Sequence, residues 1–265
     1  MKLSIITVVT DKDAFKSNAL VSFYNAKKVI DTTQTPVFNK FKKIHLVSAI
    51  NLALQESNSD FVAVIHQDAL ISVDAWQKTI VQLFDSSVGL VGYAGIRYSC
   101  SYSDCYEHGL PISQYDLIGR VKNGSGDIIW DGNGTGQIHS PDDFAFCFKN
   151  VGGTFLSIQR SQHHYAADLS IRFRLAGYKV VGISSDVTHD VVNSKSTSDA
   201  GFFRSLVDLR SKWHNDLDEH LMPHSCWSGN RIVSRMPMTV QSASGMFQST
   251  HQIVILNDTH SSYNV

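Results

Sequence analysis

A single α/β domain with a Rossmann-like, mostly parallel sheet flanked by helices is the fold this sequence predicts, on three observations. Short β-branched or apolar runs at residues 3–9, 60–65 and 88–94 alternate with stretches of helical periodicity at residues 14–30, 45–55 and 73–84. Strand, helix, strand in that order implies parallel pairing through right-handed crossovers. The chain has 265 residues, 43% hydrophobic and 18% charged, enough for one full core and too apolar for extended disorder.

The elements follow in order. LSIITVV at residues 3–9 suits a buried first strand. Phe15, Leu20, Phe23 and Ala26 recur at helical spacing, and after Pro36 the residues Leu46, Ile50, Ala53 and Leu54 line one side of a second helix. DFVAVI at residues 60–65 reads as a central strand that ends abruptly in His66-Gln67-Asp68. A third helix at 73–84 leads to another buried strand at 88–94. Residues 99–143 break the pattern: they are rich in Ser, Gly, Asp and Tyr, and a connection that long is expected to be functional or mobile. Strands are expected again at 144–148, 153–158 and 179–183, with helices at 165–176 (stopped by Gly177) and 200–213. Beyond Met222 the composition shifts to Ser, Met and Gln with one strand-like run at 252–256. The expected division is therefore a main domain over 1–221 and a C-terminal extension over 222–265, packed on it or peripheral to it.

Composition excludes several classes. A formal net charge of −1 gives no global case for a nucleic-acid or membrane partner. Seven lysines crowd between Lys12 and Lys43. A solvated helix face and loop accounts for them, and a patch meeting phosphates or anionic lipid is the alternative. The opening MKLSIITVVT is too short for a signal-peptide core, and no later run reaches the ~18 apolar residues of a membrane span. The expectation is a soluble, cytoplasmic chain without a transmembrane segment. Cys100, Cys105, Cys147 and Cys226 show no metal spacing and are expected as reduced thiols, and the three Asn-x-Ser/Thr sequons are taken as chance.

Four positions carry candidate chemistry. In parallel sheets ligands sit at the carboxyl ends of strands. Asp68 stands at such an end, where a carboxylate either holds a hard divalent cation or caps the next helix. His189, in Val187-Thr188-His189-Asp190, stands at another strand end, and imidazole suits Mn²⁺ and similar ions or serves as a structural residue. Asp168 opens a helical stretch, as a reactive carboxylate or as a first-turn charge favoured by the helix dipole. Asn51 is a polar position in an apolar helix, which exposure alone would explain.

Taken in order, these pieces resemble bacterial glycosyltransferase family 2-like proteins of GT-A type. IITVV, SAINLAL, DFVAVIHQDA and VGLVGYAG resemble that group's nucleotide-binding half, in which a His-Gln-Asp triplet stands where the wider fold keeps Asp-x-Asp. GGTFLSIQRS resembles its acceptor-floor strand, HHYAADLSIRFRLAGYKV its base-bearing helix, and VTHDVVNSKSTSDAGFFRSLVDLRSKW its closing segment. The match spans about residues 3–213. It implies a mixed sheet in the acceptor half, and transfer of a sugar from a UDP- or GDP-type donor to a glycan, lipid-linked or protein acceptor. Inversion at the anomeric carbon and a divalent cation, Mn²⁺ or Mg²⁺, are implied with it. By the same resemblance Asp68 would bind the metal and His189 the metal or diphosphate, Asn51 and Gln67 would line the nucleotide-sugar pocket with Asp68, and Asp168 would be the catalytic residue on the acceptor side. The chain departs from the pattern twice: Gly152 and Ala166 stand where relatives carry Asp. A non-catalytic GT-A domain binding nucleotide sugar or glycan is one alternative. The other, a nucleotidyltransferase, would need a Gly-rich loop after the first strand, and Val9-Thr10-Asp11-Lys12 is none.

Overall fold

The computed structural model describes residues 1–39, 44–100, 117–151, 156, 162–190, 200–223, 225–228, 231–235 and 251–255. The chain opens with β1 (Lys2–Val9), whose Leu3, Ile5 and Val9 pack on one side of the sheet and Ile6 on the other. The helix expected over 14–30 is two helices, α1 (Lys12–Ser17) and α2 (Ala19–Ala26). Asn18 separates them at φ −123° and ψ −77°, and its amide donates to the Ala14 carbonyl. Local hydrogen bonding of this kind competes with the helical ladder, which is why the periodicity alone did not reveal the break.

β2 (Asp31–Phe38) was not foreseen. It runs parallel to β1 in continuous register from Lys2↔Asp31 to Val9↔Phe38 and forms one edge of the sheet. An edge tolerates Pro36, whose missing N–H a central strand would need. Then come α3 (Leu46–Gln55), the fully buried β3 (Phe61–Ile65), β4 (Ala69–Ile71), α4 (Val73–Phe84), β5 (Val88–Gly92) and β6 (Gly95–Arg97). Ser72 caps α4 by accepting from the Ala75 N–H.

The stretch expected to be irregular holds β7 (Leu117–Ile118), β8 (Arg120–Lys122), β9 (Ile128–Asp131) and β10 (Gly136–Pro141). These strands are short and set between glycines, so their pairing, not their composition, makes them strands. Gly119 shows the constraint: at φ +95° a Cβ there would lie 1.8 Å from the Tyr93 carbonyl oxygen. β11 (Ala145–Lys149), α5 (Tyr165–Leu175), β12 (Lys179–Gly182), β13 (Val187–His189) and α6 (Ala200–Trp213) complete the main body. Gly177 stops α5 at φ +87°. The strand expected at 153–158, the Gly152 departure, Lys40, Lys42, Lys43 and the Ser-rich turn near 194–198 lie outside the described residues, Leu156 excepted.

The main sheet has nine strands in the order β2-β1-β3-β11-β5-β12-β10-β6-β7. β1, β2, β3, β5, β6 and β12 run one way, and β7, β10 and β11 oppose them. β3 and β5 do not pair as the strand–helix–strand pattern suggests: β11 is inserted antiparallel between them. Its run AFCFK is buried on both faces except at Lys149, so it is stable only with a neighbour on each side. One core lies under α1, α2 and α4 around Trp76, and the other under α3 and α5 around Ile50, Tyr165 and Leu169.

After α6, β14 (Glu219–Met222), β15 (Ser225–Ser228), β16 (Arg231–Arg235) and β17 (His251–Ile255) form an antiparallel four-stranded sheet. The boundary expected between 221 and 222 thus falls within β14. Leu221 and Cys226 pack on Ile96 and Cys100, while Met222 and Trp227 pack on Ala167, Ile171, Leu206 and Leu209. Trp227 is fully buried. The β14–β15 hairpin thus packs on the main body.

Candidate metal and nucleotide site

The carboxyl ends of β1 and β3 form one wall of an open cleft, and Gln67 holds those ends together. Its Oε1 accepts from the Thr10 N–H at 2.7 Å and the Asp11 N–H at 2.8 Å, and its Nε2 donates to Thr10 Oγ1 at 3.0 Å. Val8, Leu46, Ile50 and Val64 supply the apolar side of the cleft, and His66, Gln67, Asp68 and Tyr165 its polar end.

Past Gln67 the chain leaves the main sheet and enters β4, which pairs antiparallel with β13 in the register Ala69↔His189. The Asp190 N–H donates to the Asp68 carbonyl at 3.0 Å and extends that ladder. The result brings His189 Nε2 to 3.6 Å from Asp68 Oδ1. Phe144 stacks on the His189 ring at 4.6 Å and 13°, fixing its plane, and His66 meets the same ring edge-on at 5.6 Å. One ligand atom from each of His66, Asp68 and His189 lies within 4.8 Å of the others. Two ligands bound at about 2.1 Å in adjacent octahedral positions stand about 3 Å apart, so small side-chain rotations would close this set on one ion. Two imidazoles and a carboxylate suit a borderline cation such as Mn²⁺. All three residues are only partly buried, which leaves room for ligands from solvent or substrate.

Tyr165, at the floor of the cleft, is fully buried. Its hydroxyl donates to the Asp143 carbonyl at 2.8 Å and meets His66 Nε2 at 3.0 Å. Burial pushes that hydroxyl well above the ordinary tyrosine range, and the nearby charges of Asp143, Asp142 and Asp68 push it in the same direction. It therefore stays protonated.

Asp143 also starts α5. Its carboxylate accepts from the His164 N–H at 2.6 Å and the Ala166 N–H at 2.8 Å, satisfying two donors at the helix N-terminus. His164 takes φ +64°, and it is the one non-glycine residue at positive φ among those described. Such a conformation costs of order 1–3 kcal/mol and persists only when the surroundings hold it. Here the ring is held in the interior, Nδ1 at 2.6 Å from Ser205 Oγ on α6 and Nε2 at 3.2 Å from Ser225 Oγ on β15.

Of the positions singled out from sequence, Gln67 and Asp68 line the cleft end and His189 lies beside Asp68. His66, which the triplet contained but which had no role of its own, joins them. Asn51 and Asp168 do not line the cleft. The Asn51 side chain makes a two-way clamp on a distant peptide unit, donating to the Leu156 carbonyl and accepting from the Leu156 N–H, both at 2.8 Å. Asp168 is the fourth residue of a helix that already begins at Tyr165, and its carboxylate is fully buried. Lys212 Nζ and Trp213 Nε1 donate to its Oδ1 at 2.6 and 2.9 Å, and Arg172 Nε lies 3.2 Å from Oδ2. A reactive carboxylate was expected there; instead it joins α5 to the end of α6, because α6 packs on α5 and brings Lys212 and Trp213 to it. Tyr165 was missed, and so was the part Asp143 plays in starting α5 and holding the Tyr165 hydroxyl. The available signal was the pair Asp142-Asp143 before an all-apolar strand.

No family model and no curated protein matches this sequence. Solved structures match its fold. The mannosyltransferase PcManGT from Pyrobaculum calidifontis, in complex with GDP-Man and Mn²⁺, is 12% identical with a TM-score of 0.50, over 81% of this chain and 64% of its own. TarS 1–349 from S. aureus is 10% identical with a TM-score of 0.51, over 82% of this chain and 67% of its own. GalNAc-T7, with UDP, GalNAc and Mn²⁺, is 7% identical with a TM-score of 0.52, over 82% of this chain and 48% of its own. This chain thus spans about half to two thirds of those chains. The chain has the GT-A fold of these glycosyltransferases.

Proposed function

We propose that this chain is a metal-dependent glycosyltransferase that moves a sugar from a nucleoside-diphosphate donor to a hydroxyl acceptor. The observation that carries the reading is the convergence of His66, Asp68 and His189 at the carboxyl end of β3, on the rim of the cleft. That is where open α/β sheets bind ligands. Three of the structures sharing the fold were solved with a nucleotide or nucleotide sugar, two of them also with Mn²⁺.

The donor's base and ribose would lie along the apolar wall at Val8, Leu46 and Ile50, with the diphosphate at the His66–Asp68 end. A divalent cation, Mn²⁺ or Mg²⁺, held by His66, Asp68 and His189 would neutralise charge on the leaving diphosphate. Gln67 would keep Thr10 and Asp11 in place beside the nucleotide. In the reaction the acceptor oxygen bonds to the anomeric carbon, the bond from that carbon to the phosphate oxygen breaks, and the hydroxyl proton passes to a base. Attack from the face opposite the leaving group gives inversion.

One observation favours a second reading, a GT-A domain that binds nucleotide sugar or glycan without transfer. Asp168 is turned away into its contacts with Lys212 and Trp213, and Ala166 accepts no proton. A thermal-shift panel of UDP- and GDP-sugars with and without Mn²⁺, followed by an assay for nucleoside diphosphate release, separates the two. Ligand at 100 times its dissociation constant adds ~2.7 kcal/mol of stability. Metal-dependent stabilisation with diphosphate release supports the enzyme, and stabilisation without release supports the binding module. No stabilisation by any nucleotide sugar overturns the enzyme and the nucleotide-sugar-binding module.

A further inference from the structure

We propose that Tyr165 is a positioning residue that locks His66 in the tautomer carrying its proton on Nε2, so that Nδ1 is the atom His66 presents to a divalent cation. The inference rests on the metal-site reading given above and adds to it which atom binds and what sets that choice.

The argument is one of proton accounting. A phenol carries a single proton, and a peptide carbonyl only accepts. The Tyr165 proton is committed to the Asp143 carbonyl at 2.8 Å. The hydroxyl then offers His66 nothing but lone pairs, so His66 Nε2, at 3.0 Å, must be the donor. A neutral imidazole has one N–H, and Nδ1 is left with its lone pair free for a metal. In the opposite tautomer two lone pairs would face each other at a buried hydroxyl, an arrangement that burial penalises. A free histidine exchanges its tautomers in water; here the exchange is closed off.

The frame around the pair is rigid. The His66 N–H donates to the Phe144 carbonyl at 2.8 Å, so backbone and ring of His66 are both tied to residues 143–144. The Asp143 carboxylate is held by the His164 and Ala166 N–H groups, and His164 is held in turn by Ser205 and Ser225. Partners of this outer kind fix the tautomer and ring orientation of metal-binding histidines, and losing one typically costs 10–100-fold in metal affinity.

The test is long-range ¹⁵N NMR of the histidine side chains in metal-free protein at mildly alkaline pH, with the His66 signals assigned by their loss in His66→Gln. The expected result is a protonated Nε2 and a bare Nδ1 on His66. In Tyr165→Phe, which removes only the hydroxyl, the two nitrogens should move toward averaged shifts, and calorimetric Mn²⁺ affinity should fall by about 10–100-fold. A His66 protonated on Nδ1 in the unmutated protein overturns the lock, and that measurement needs no variant to fold. A folded Tyr165→Phe with unchanged tautomer and unchanged Mn²⁺ affinity overturns it as well. An Nε2–H signature in a protein that binds no Mn²⁺ overturns the metal reading and leaves the lock standing.

Discussion

The Asp190 N–H donates to the Asp68 carbonyl at 3.0 Å, and this backbone bond, not an attraction between side chains, sets the distance between the Asp68 carboxylate and the neighbouring His189 ring. Each side chain is aimed by its strand end, β4 for Asp68 and β13 for His189. A site built on paired strands needs little reorganisation to take an ion, which is the condition for tight and specific binding.

Removal of the carboxylate should therefore remove the metal dependence of nucleotide binding. Asp68→Ala is expected to lose more Mn²⁺ affinity than the about 10–100-fold that loss of an outer hydrogen-bond partner costs. Titration calorimetry of UDP and GDP with Mn²⁺ and with excess EDTA checks this. Equal nucleotide affinity in both conditions for the unmutated protein would refute the metal's role.

Asp168→Asn should act on stability and not on the cleft. The amide keeps a partner for Trp213 Nε1 but leaves Lys212 and Arg172 without their common anion. Removing one partner of a buried ion pair costs about 3–5 kcal/mol, and the partial exposure of Lys212 and Arg172 places this case at or below the low end of that range. Denaturant titration should show a lower midpoint with unchanged slope, and nucleotide affinity per folded molecule should stay the same. A variant of native stability with impaired turnover would restore Asp168 to the chemistry.

Acid should destabilise the fold through the contact between β10 and β14. Burial, reinforced by the Arg174 charge, pulls His139 down to about 4, and burial with the same arginine and the neighbouring histidines holds His220 well below its ordinary value. Both are neutral in the fold. A histidine with a depressed folded value costs nothing above its unfolded value near 6.5. As pH falls below that, the unfolded chain takes a proton the fold refuses, and stability drops until the folded value is reached. For His139 the window is 6.5 to about 4, and 2.5 units at 1.36 kcal/mol each gives about 3 kcal/mol. Urea midpoints across that range should fall, and His139→Gln should show a shallower decline because its amide does not titrate. A midpoint independent of pH would contradict this.

Asn51→Ala should loosen the hold on Leu156 without touching His66, Asp68 or His189. Two hydrogen bonds at 2.8 Å are lost, and the Leu156 N–H and carbonyl lose their side-chain partner. A buried group left unsatisfied costs about 1–3 kcal/mol. Hydrogen exchange at the Leu156 amide should accelerate accordingly, while Mn²⁺ affinity stays constant. Unchanged exchange would mean that other contacts hold Leu156.

Local pattern sufficed for much of this molecule. The bounds of α4 and α6 match those read from periodicity, and Gly177 ends α5 as its freedom at positive φ requires. The triplet at the end of β3 was also legible, because a fully apolar run broken by three polar residues marks a strand leaving the sheet for a ligand-facing end. What the sequence by itself determined is thus the elements whose residues interact with near neighbours. Tertiary structure alone decided the rest, because the deciding contacts join distant parts of the chain. β11 lies between β3 and β5, β2 pairs along the whole of β1, and β14 and β15 enter the core. Asp168 lost its expected place in the cleft and Tyr165 gained one for the same reason. Positions 165 and 168 lie only about 60° apart around a helix of ~3.6 residues per turn, so it is what packs on each that separates them: the strand end at Asp143 and His66 for Tyr165, and the end of α6 for Asp168. Where that helix starts is set by the Asp143 carboxylate, a residue of the preceding strand connection that no periodicity in the helix itself encodes.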